Sequence, residues 1–437
     1  MTGRVALPRR MAAAAALASA LAVVAGGAAP AGAATWSRPA SVPGSDGVGF
    51  PYAVAVGPDG TAAVAFLRDG VRVAVRRPGG SWTTARKVSR GHGAVTTPDV
   101  DVDGRGEVVV AWTENPARPG RPIRGSSFVR VAIRDAGGDW GEPHTAGATP
   151  QFFAAAPSLA VNARGDGVLV WRGRRLIPHA HHRIQAAYRL AGGRFAPERT
   201  LGEDGIDHRA AIDGDGHAYA TWAWARRPFN VPTRLRLAEL GALGRWTNPA
   251  TIAQGHEGGP RIALPGDGAV VLAWRTLEQG IGATRTGLPA VAAVDPAGAI
   301  DAVAPIALAR TTSMQLAADR SGDVLAIWSP AGPAFDPAST GVDVLSWTVR
   351  PRGGTFAPVR SAPGLRAGPL AILADGTAVT VWAHDGIHAA VRPPGGDFQA
   401  AEPLRARGRF PALGGGGDVA LAVWLRRGAL MAAARAG

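Results

Sequence analysis

A short phrase recurs eight times along the chain, and it limits the possible folds more than any other feature. Its clearest form, DVDVDGRGEVVVAW, ends at Trp112; the other copies end at Phe66, Trp171, Trp222, Trp274, Trp328, Trp382 and Trp424. In seven copies a glycine stands six residues before the aromatic, at Gly60, Gly106, Gly165, Gly216, Gly268, Gly322 and Gly376, and the eighth is shifted by one, to Gly417. A period of about fifty residues marks a repeat architecture, in which each unit buries its apolar surface against its neighbours.

Each unit parses into four short strands. In the third, Ser158 to Val161 reads as a strand, NARGDG as a turn, and Val168 to Trp171 as a second strand. Ile184 to Arg189 forms the third, the Gly192-Gly193 pair a hairpin turn, and Phe195 to Leu201 the fourth. The second hairpin recurs as VAVRRPGGSW at Trp82, VAIRDAGGDW at Trp140 and AAYRLAGGRF at Phe195, with further copies at Trp246, Phe356 and Phe398. The periodicity is two throughout, and 60 glycines with 35 prolines suit many turns. Second strands such as VVVAW, GVLVW and VLAIW are apolar on both faces, as expected of sheets covered on both sides. The aromatic at each strand end reads as a buried wedge.

The two ends complete one another. The eighth unit stops at LMAAARAG, before its fourth strand, and TWSRPASV near the start supplies that strand: Trp36 stands where Trp82 and Trp140 stand, and Pro39 where Pro143 does. A unit split across the termini closes a ring, and closure removes exposed sheet edges. The expectation is an all-β chain folded as a single β-propeller of eight four-stranded blades, closed by the N-terminal strand, with seven blades as the alternative count.

Residues 1–33 read as a signal peptide. Arg4, Arg9 and Arg10 precede the apolar MAAAAALASALAVVAGGA, and Ala31-Gly32-Ala33 is a small-residue cleavage site. Arg9-Arg10 also permits twin-arginine export. Residues 34–437 then form the propeller, a secreted, extracellular monomer with no transmembrane segment after cleavage. The chain has no cysteine, which excludes disulfides and thiolate metal sites. Its net charge is +14, carried by arginine with Lys87 the one lysine, a pattern that reads as coding bias. Without a recognisable module or stacking platform, the basic charge does not imply nucleic-acid binding.

The second hairpin resembles the Asp-box of the sialidase-like propeller superfamily, Ser-x-Asp-x-Gly-x-x-Trp: Asp135, Gly137 and Trp140 match, with Ile133 in place of the serine, and elsewhere Gly-x-x-Trp/Phe survives, as at Gly79 and Trp82. The chain is thus similar to a secreted bacterial propeller repeat protein. Such boxes stabilise turns. The resemblance implies no sialidase activity, because Tyr52, Tyr188 and Tyr219 all read as strand positions and the units number eight rather than six. No Gly-x-Ser-x-Gly, phosphate-loop or HExxH motif is present, so no catalytic residue and no cofactor is assigned.

Connections between second and third strands are short in units one, seven and eight and long in units two to six, all on one face. Function commonly lives on loops carried by a rigid scaffold. The first strand of each unit lines the central channel. Eleven residues before the anchor aromatic stand Ala55, Ala160, Ala211, Ala263, Ala317 and Ala371, with Asp101 the exception. Two residues nearer the loop-rich face stand Asp99, Ser158, Arg209, Arg261 and Gln315 in units two to six, against Ala53 and Pro369 elsewhere. His208 flanks Arg209, with Asp207 beside it, and His256 and Glu257 lie near Arg261. The candidate ligand-binding residues are therefore Asp99, Asp101, Ser158, His208, Arg209, Arg261 and Gln315.

Other clusters carry less. Asp99-Val-Asp101-Val-Asp103-Gly104 starts like a Ca²⁺ loop, but Val110 stands where the bidentate acid belongs. His179, His181 and His182 read as a solvated loop, and no metal is assigned. Arg118, Arg121, Arg124, Arg172, Arg174, Arg175, Arg226 and Arg227 crowd the long connections, and guanidinium forks suit carboxylate, sulfate or phosphate. The expected function is non-catalytic binding or scaffolding, with an anionic glycan, a cell-envelope polymer or a protein as partner. The alternative is a polysaccharide-acting glycoside hydrolase or lyase, with carboxylates drawn from Asp99, Asp101, Asp207 and Glu257.

Overall fold

The computed structural model describes residues 35–437, apart from 91–93, 96, 116–126, 150–151, 155–156, 176–181, 227–230, 242–243, 255, 278–286, 302–303, 308, 332–342 and 406. Among the described residues every regular element is a strand, and the strands group into eight antiparallel sheets arranged as the blades of a propeller. Blade three shows the plan. Ser158–Val161 is innermost and pairs with Gly167–Arg175, which pairs with His182–Arg189, which pairs with Arg199–Glu203. The fourth strand starts at Arg199 rather than at Phe195. Pro197 has no N–H to give a ladder, so Phe195 leaves the sheet edge and is buried between blades.

Each turn into a second strand rests on its repeated glycine. All eight have positive φ, from 52° at Gly417 to 97° at Gly165, a region that glycine enters without steric cost. An Asp or Asn one or three residues earlier locks most of these turns. Asp103 accepts from the N–H groups of Arg105 and Glu107 at 2.8 Å, and Asn162 accepts from Arg164 at 3.0 Å.

The blades hold together through their faces. The anchor aromatics Phe66, Trp112, Trp171, Trp222, Trp274, Trp328, Trp382 and Trp424 are all buried. Each packs with the second and third strands of the preceding blade: Trp112 with Val71, Val73 and Val75, Trp171 with Val129 and Val131, Trp222 with Ile184 and Ala186. The last interface joins Leu421 and Val423 of blade eight to Val64 and Phe66 of blade one, so the ring is continuous.

Closure follows the expected register. Ala40 pairs with Ala432, Ser41 with Met431, and Trp36 bridges Arg435 as Trp82 bridges Arg76 and Trp140 bridges Arg134. Val42 is buried in the core shared by blades eight and one. The closing blade also explains its glycine run. A Cβ on Gly414 would stand 3.1 Å from Ala55 of blade one, and one on Gly415 would stand 2.5 Å from Ala371 of blade seven, so the innermost strand of blade eight has no room for side chains there.

A further regularity concerns arginine. Arg76, Arg134, Arg189, Arg350, Arg392 and Arg435 occupy one repeat position, the end of the third strand six residues before the second hairpin's aromatic or, for Arg435, opposite Trp36. Arg189 is fully buried. It pairs with Glu107 of blade two, donates to the Gly165 carbonyl at 2.8 Å and lies 5.9 Å from the Phe195 ring centre. Arg435 reaches Glu402 of blade seven at 3.5 Å, and Arg350 reaches Asp267 of blade five at 4.0 Å. Part of the arginine excess therefore ties blade to blade, which reading it as coding bias does not capture.

Deleting residues 35–42 should cost at least about 5 kcal/mol, because it unpairs an edge, removes Val42 from the core and uncovers Arg435. Thermal unfolding of the shortened mature chain checks this, and a melting temperature within a degree or two of the parent would contradict ring closure by this strand.

Candidate functional site

The start of every innermost strand lies at the face that also carries the connections between second and third strands, because the strands of a blade alternate in direction. At this mouth the regular ladder breaks. In blades four, five, six and eight one extra residue is inserted on the innermost strand: between Ile206 and Arg209, Gly258 and Arg261, Thr311 and Met314, and Arg409 and Ala412. In blades two and three the register also gains one residue on the innermost strand, between Val95 and Asp99 and between Ala154 and Ser158. A bulge re-aims the side chains beside it. Asp207, Gly259 and Phe410 hold equivalent places, two residues before the register resumes, and all have positive φ (51°, 64° and 54°).

An innermost strand has one edge without a strand partner, so its backbone N–H groups need other acceptors. The polar residues foreseen for the mouth supply several. Asp99 Oδ2 accepts from Leu159 N–H at 2.8 Å, and Asp101 Oδ2 from Val161 N–H at 2.7 Å, both across to blade three. Their Oδ1 atoms accept from Val100 and Val102. Ser158 Oγ accepts from Ala210 N–H of blade four at 3.1 Å. Arg261 Nε donates to Gln315 Oε1 of blade six at 3.4 Å. These contacts join blades two to three, three to four, and five to six.

Between blades four and five the pattern changes. Arg209 Nη1 donates to the His208 carbonyl at 2.7 Å within its own blade, and Arg261 Nη1 to the Pro260 carbonyl at 3.0 Å within its own. Burial, then repulsion from Arg209 and Arg275, lower the Arg261 guanidinium to about 10, with Asp207 opposing. Burial also lowers Arg275, again against Asp207. Among the described residues neither Arg209 nor Arg261 forms an ion pair with a carboxylate. His208 is buried beside them, and Asp207 is exposed. The mouth is thus polarised, with carboxylates on blade two and guanidinium groups on blades four and five.

Of the foreseen site residues, Asp99, Asp101, Ser158, His208, Arg209, Arg261 and Gln315 all lie on innermost strands at or just inside the mouth. Arg261 and Gln315 touch each other, and Arg209 is close enough to both Asp99 and Arg261 to shift their proton affinities. Arg275 was missed, since it stands on a second strand, one residue past the anchor Trp274, and only the bulge at Gly259 brings it toward Arg261. His182 pairs with Arg174 at the start of a third strand, whereas His179 and His181 lie outside the described residues. So do Arg118, Arg121, Arg124 and Arg227, and the side chains of Arg174, Arg175, Arg226, His256 and Glu257. Among the described residues no three His, Asp or Glu side chains converge as a metal site.

The sequence matches no family profile, and no curated protein sequence resembles it. Solved structures do resemble the fold. The WD40 domain of SCAP from fission yeast superposes with a TM-score of 0.53 at 9% identity, covering 91% of this chain and 98% of that one. The Dos1 propeller gives 0.51 at 10% identity, covering 92% and 94%. A Hadza microbial sialidase gives 0.43 at 12% identity, covering 86% and 76%. At these identities the likeness is one of fold, and it places the chain among the β-propellers.

Burial is the main cause that pushes the Asp101 carboxyl up to about 7; Asp99 and Asp103 add to it, and the Val161 and Val102 N–H groups oppose it. With a folded-state pKa above the unfolded one, the neutral form favours the fold: its contribution is whole below about pH 4 and is lost as the pH rises through about 7. Relative to Asp101→Asn, the parent should therefore lose about 2 kcal/mol between these limits, once partial exposure is allowed for. Denaturant titrations of both proteins at intervals across that range test this; parallel pH profiles would show that Asp101 titrates normally.

Proposed function

We propose that the protein is a secreted binding propeller that takes an anionic glycan at the channel mouth, over the guanidinium groups of blades four and five. The observation that carries this reading is the pairing of Arg209 with Arg261. Two half-buried cations are held close enough to repel, on rigid strands rather than on surface loops, and neither is neutralised by an ion pair among the described residues. Holding like charges together costs free energy, and an incoming carboxylate or sulfate recovers it. Guanidinium groups bind such anions through two parallel hydrogen bonds.

Binding fits the local chemistry better than hydrolysis. A glycosidase needs one carboxyl group free to give a proton and a second free to attack or to activate water. Asp99 and Asp101 have both oxygens engaged by backbone N–H groups that hold blades two and three together. Asp207 stands in the field of Arg261 and Arg275.

A glycan-array screen of the mature protein, at low and at physiological salt, tests the reading. Binding should favour uronate-rich or sulfated glycans and weaken as salt rises. The double variant Arg209→Ala with Arg261→Ala should lose at least about tenfold in affinity, one cation contact being worth upward of about 1.4 kcal/mol, with its melting temperature little changed. Unchanged affinity in that variant would end the proposal.

A further inference from the structure

Half a ring away from the arginines, the same mouth carries a second unusual feature. Phe50 stands two residues before the innermost strand of blade one, Tyr52–Val56, and Phe410 sits in the bulge of blade eight. Their rings stack at 4.8 Å between centres and 24° between planes, yet they are 59% and 44% exposed. Large apolar side chains are mostly buried, and the repeat phenylalanines Phe66, Phe195 and Phe398 are inside, with Phe356 partly so.

The arrangement is built rather than incidental. Phe410 has φ of 54°, at the bulge position where Asp207 and Gly259 stand in blades four and five. A bulky residue enters that region only under strain, and an observed strain of this kind is a reason to look for function. The Tyr52 hydroxyl donates to the Phe410 carbonyl and reaches the Val423 carbonyl at 3.2 Å, which fixes the bulge. Tyr52 meets Phe50 edge-on at 6.1 Å. On Phe410, the Arg409 guanidinium lies 5.5 Å from the ring centre. Arg409 and Arg427 are both exposed, and Arg409 pairs with Leu425, two residues before Arg427 in the neighbouring turn.

We propose that Phe50 and Phe410 form a stacking subsite for a sugar ring of an acidic oligosaccharide, with Arg409 taking its carboxylate or sulfate. This rests on the anionic-glycan reading and extends it: the chain would cross the channel mouth from the arginines of blades four and five to the aromatic pair of blades eight and one. The occupant must offer both a flat apolar face and a negative charge. A uronate ring does so, since its axial C–H groups form an apolar face and its carboxylate projects from the rim. A simple inorganic anion would use the arginines but not the rings.

The test titrates the mature protein with oligomers of galacturonate, alginate and hyaluronan, from two to about ten sugars. The variants are Phe50→Ala, Phe410→Gly and the double Arg209→Ala with Arg261→Ala. In the parent, affinity should rise with length once an oligomer spans both subsites. Phe50→Ala and Phe410→Gly should each lose about tenfold on the long oligomers and little on the shortest. Phe410→Gly should also melt higher than the parent, because glycine adopts the bulge conformation freely; a merely structural ring would lower it. If both phenylalanine variants bind every length like the parent while the arginine pair loses affinity, the stacking subsite is overturned and the binding function stands. If the phenylalanine variants lose affinity and the arginine pair does not, the subsite stands and the proposed function falls. Failure of the parent to bind any of the three series overturns both.

Discussion

Everything in this structure depends on apolar sheets that cannot be left with an uncovered face. Residues such as Val108, Val109, Val110 and Ala111 alternate sides, and all are buried, so blade two must have a neighbour on each side. A row of such sheets has two costly ends unless it closes. The strand Ala40–Ser41, with Trp36 and Val42 on either side of it, performs the closure by hydrogen bonds to Ala429–Ala436 and by filling the gap between blades eight and one. One large aromatic per interface then sets the spacing, and the glycines of blade eight absorb what the regular repeat cannot fit.

Closure leaves a second problem, since eight innermost strands face a common axis with one unpaired edge each. Alanines at the crowded level and acceptors at the mouth meet it. Asp99, Asp101 and Ser158 use side-chain oxygens to take N–H groups from the next blade, which makes part of the mouth structural. Arginines in blades four and five replace this arrangement with like charges. The repeat departs from itself at Arg209 and Arg261, and at Phe410, where an aromatic occupies a position held by aspartate and glycine in other blades.

Arginine serves several ends here. At the end of third strands Arg134, Arg189, Arg350 and Arg435 are buried, and three of them reach a carboxylate of another blade, Arg189 at Glu107, Arg350 at Asp267 and Arg435 at Glu402. At the mouth Arg209 and Arg261 are held without an ion pair among the described residues. Elsewhere it forms exposed pairs of little consequence, such as Arg360 with Asp397 at 2.5 Å. Net charge alone separates none of these uses. The recurrence of Arg six residues before the second hairpin's aromatic was visible in the repeat and distinguishes the first from the others.

The strand count, the turn glycines, the buried aromatic wedges and the split eighth blade were all legible in the chain, because each depends on local period and on residue types that recur in register. The sequence alone also placed Asp99, Ser158, Arg209, Arg261 and Gln315 at one level of one face, since strand alternation and a common anchor residue are enough to index them. What it could not decide is which of these residues point at one another across blades, for that depends on where an extra residue bulges the innermost strand. Only the folded ring showed Asp99 and Asp101 engaged by the backbone of blade three, Arg275 drawn toward Arg261, and two phenylalanines 360 residues apart stacked in the open. Those contacts join residues distant in sequence, and no local pattern encodes them.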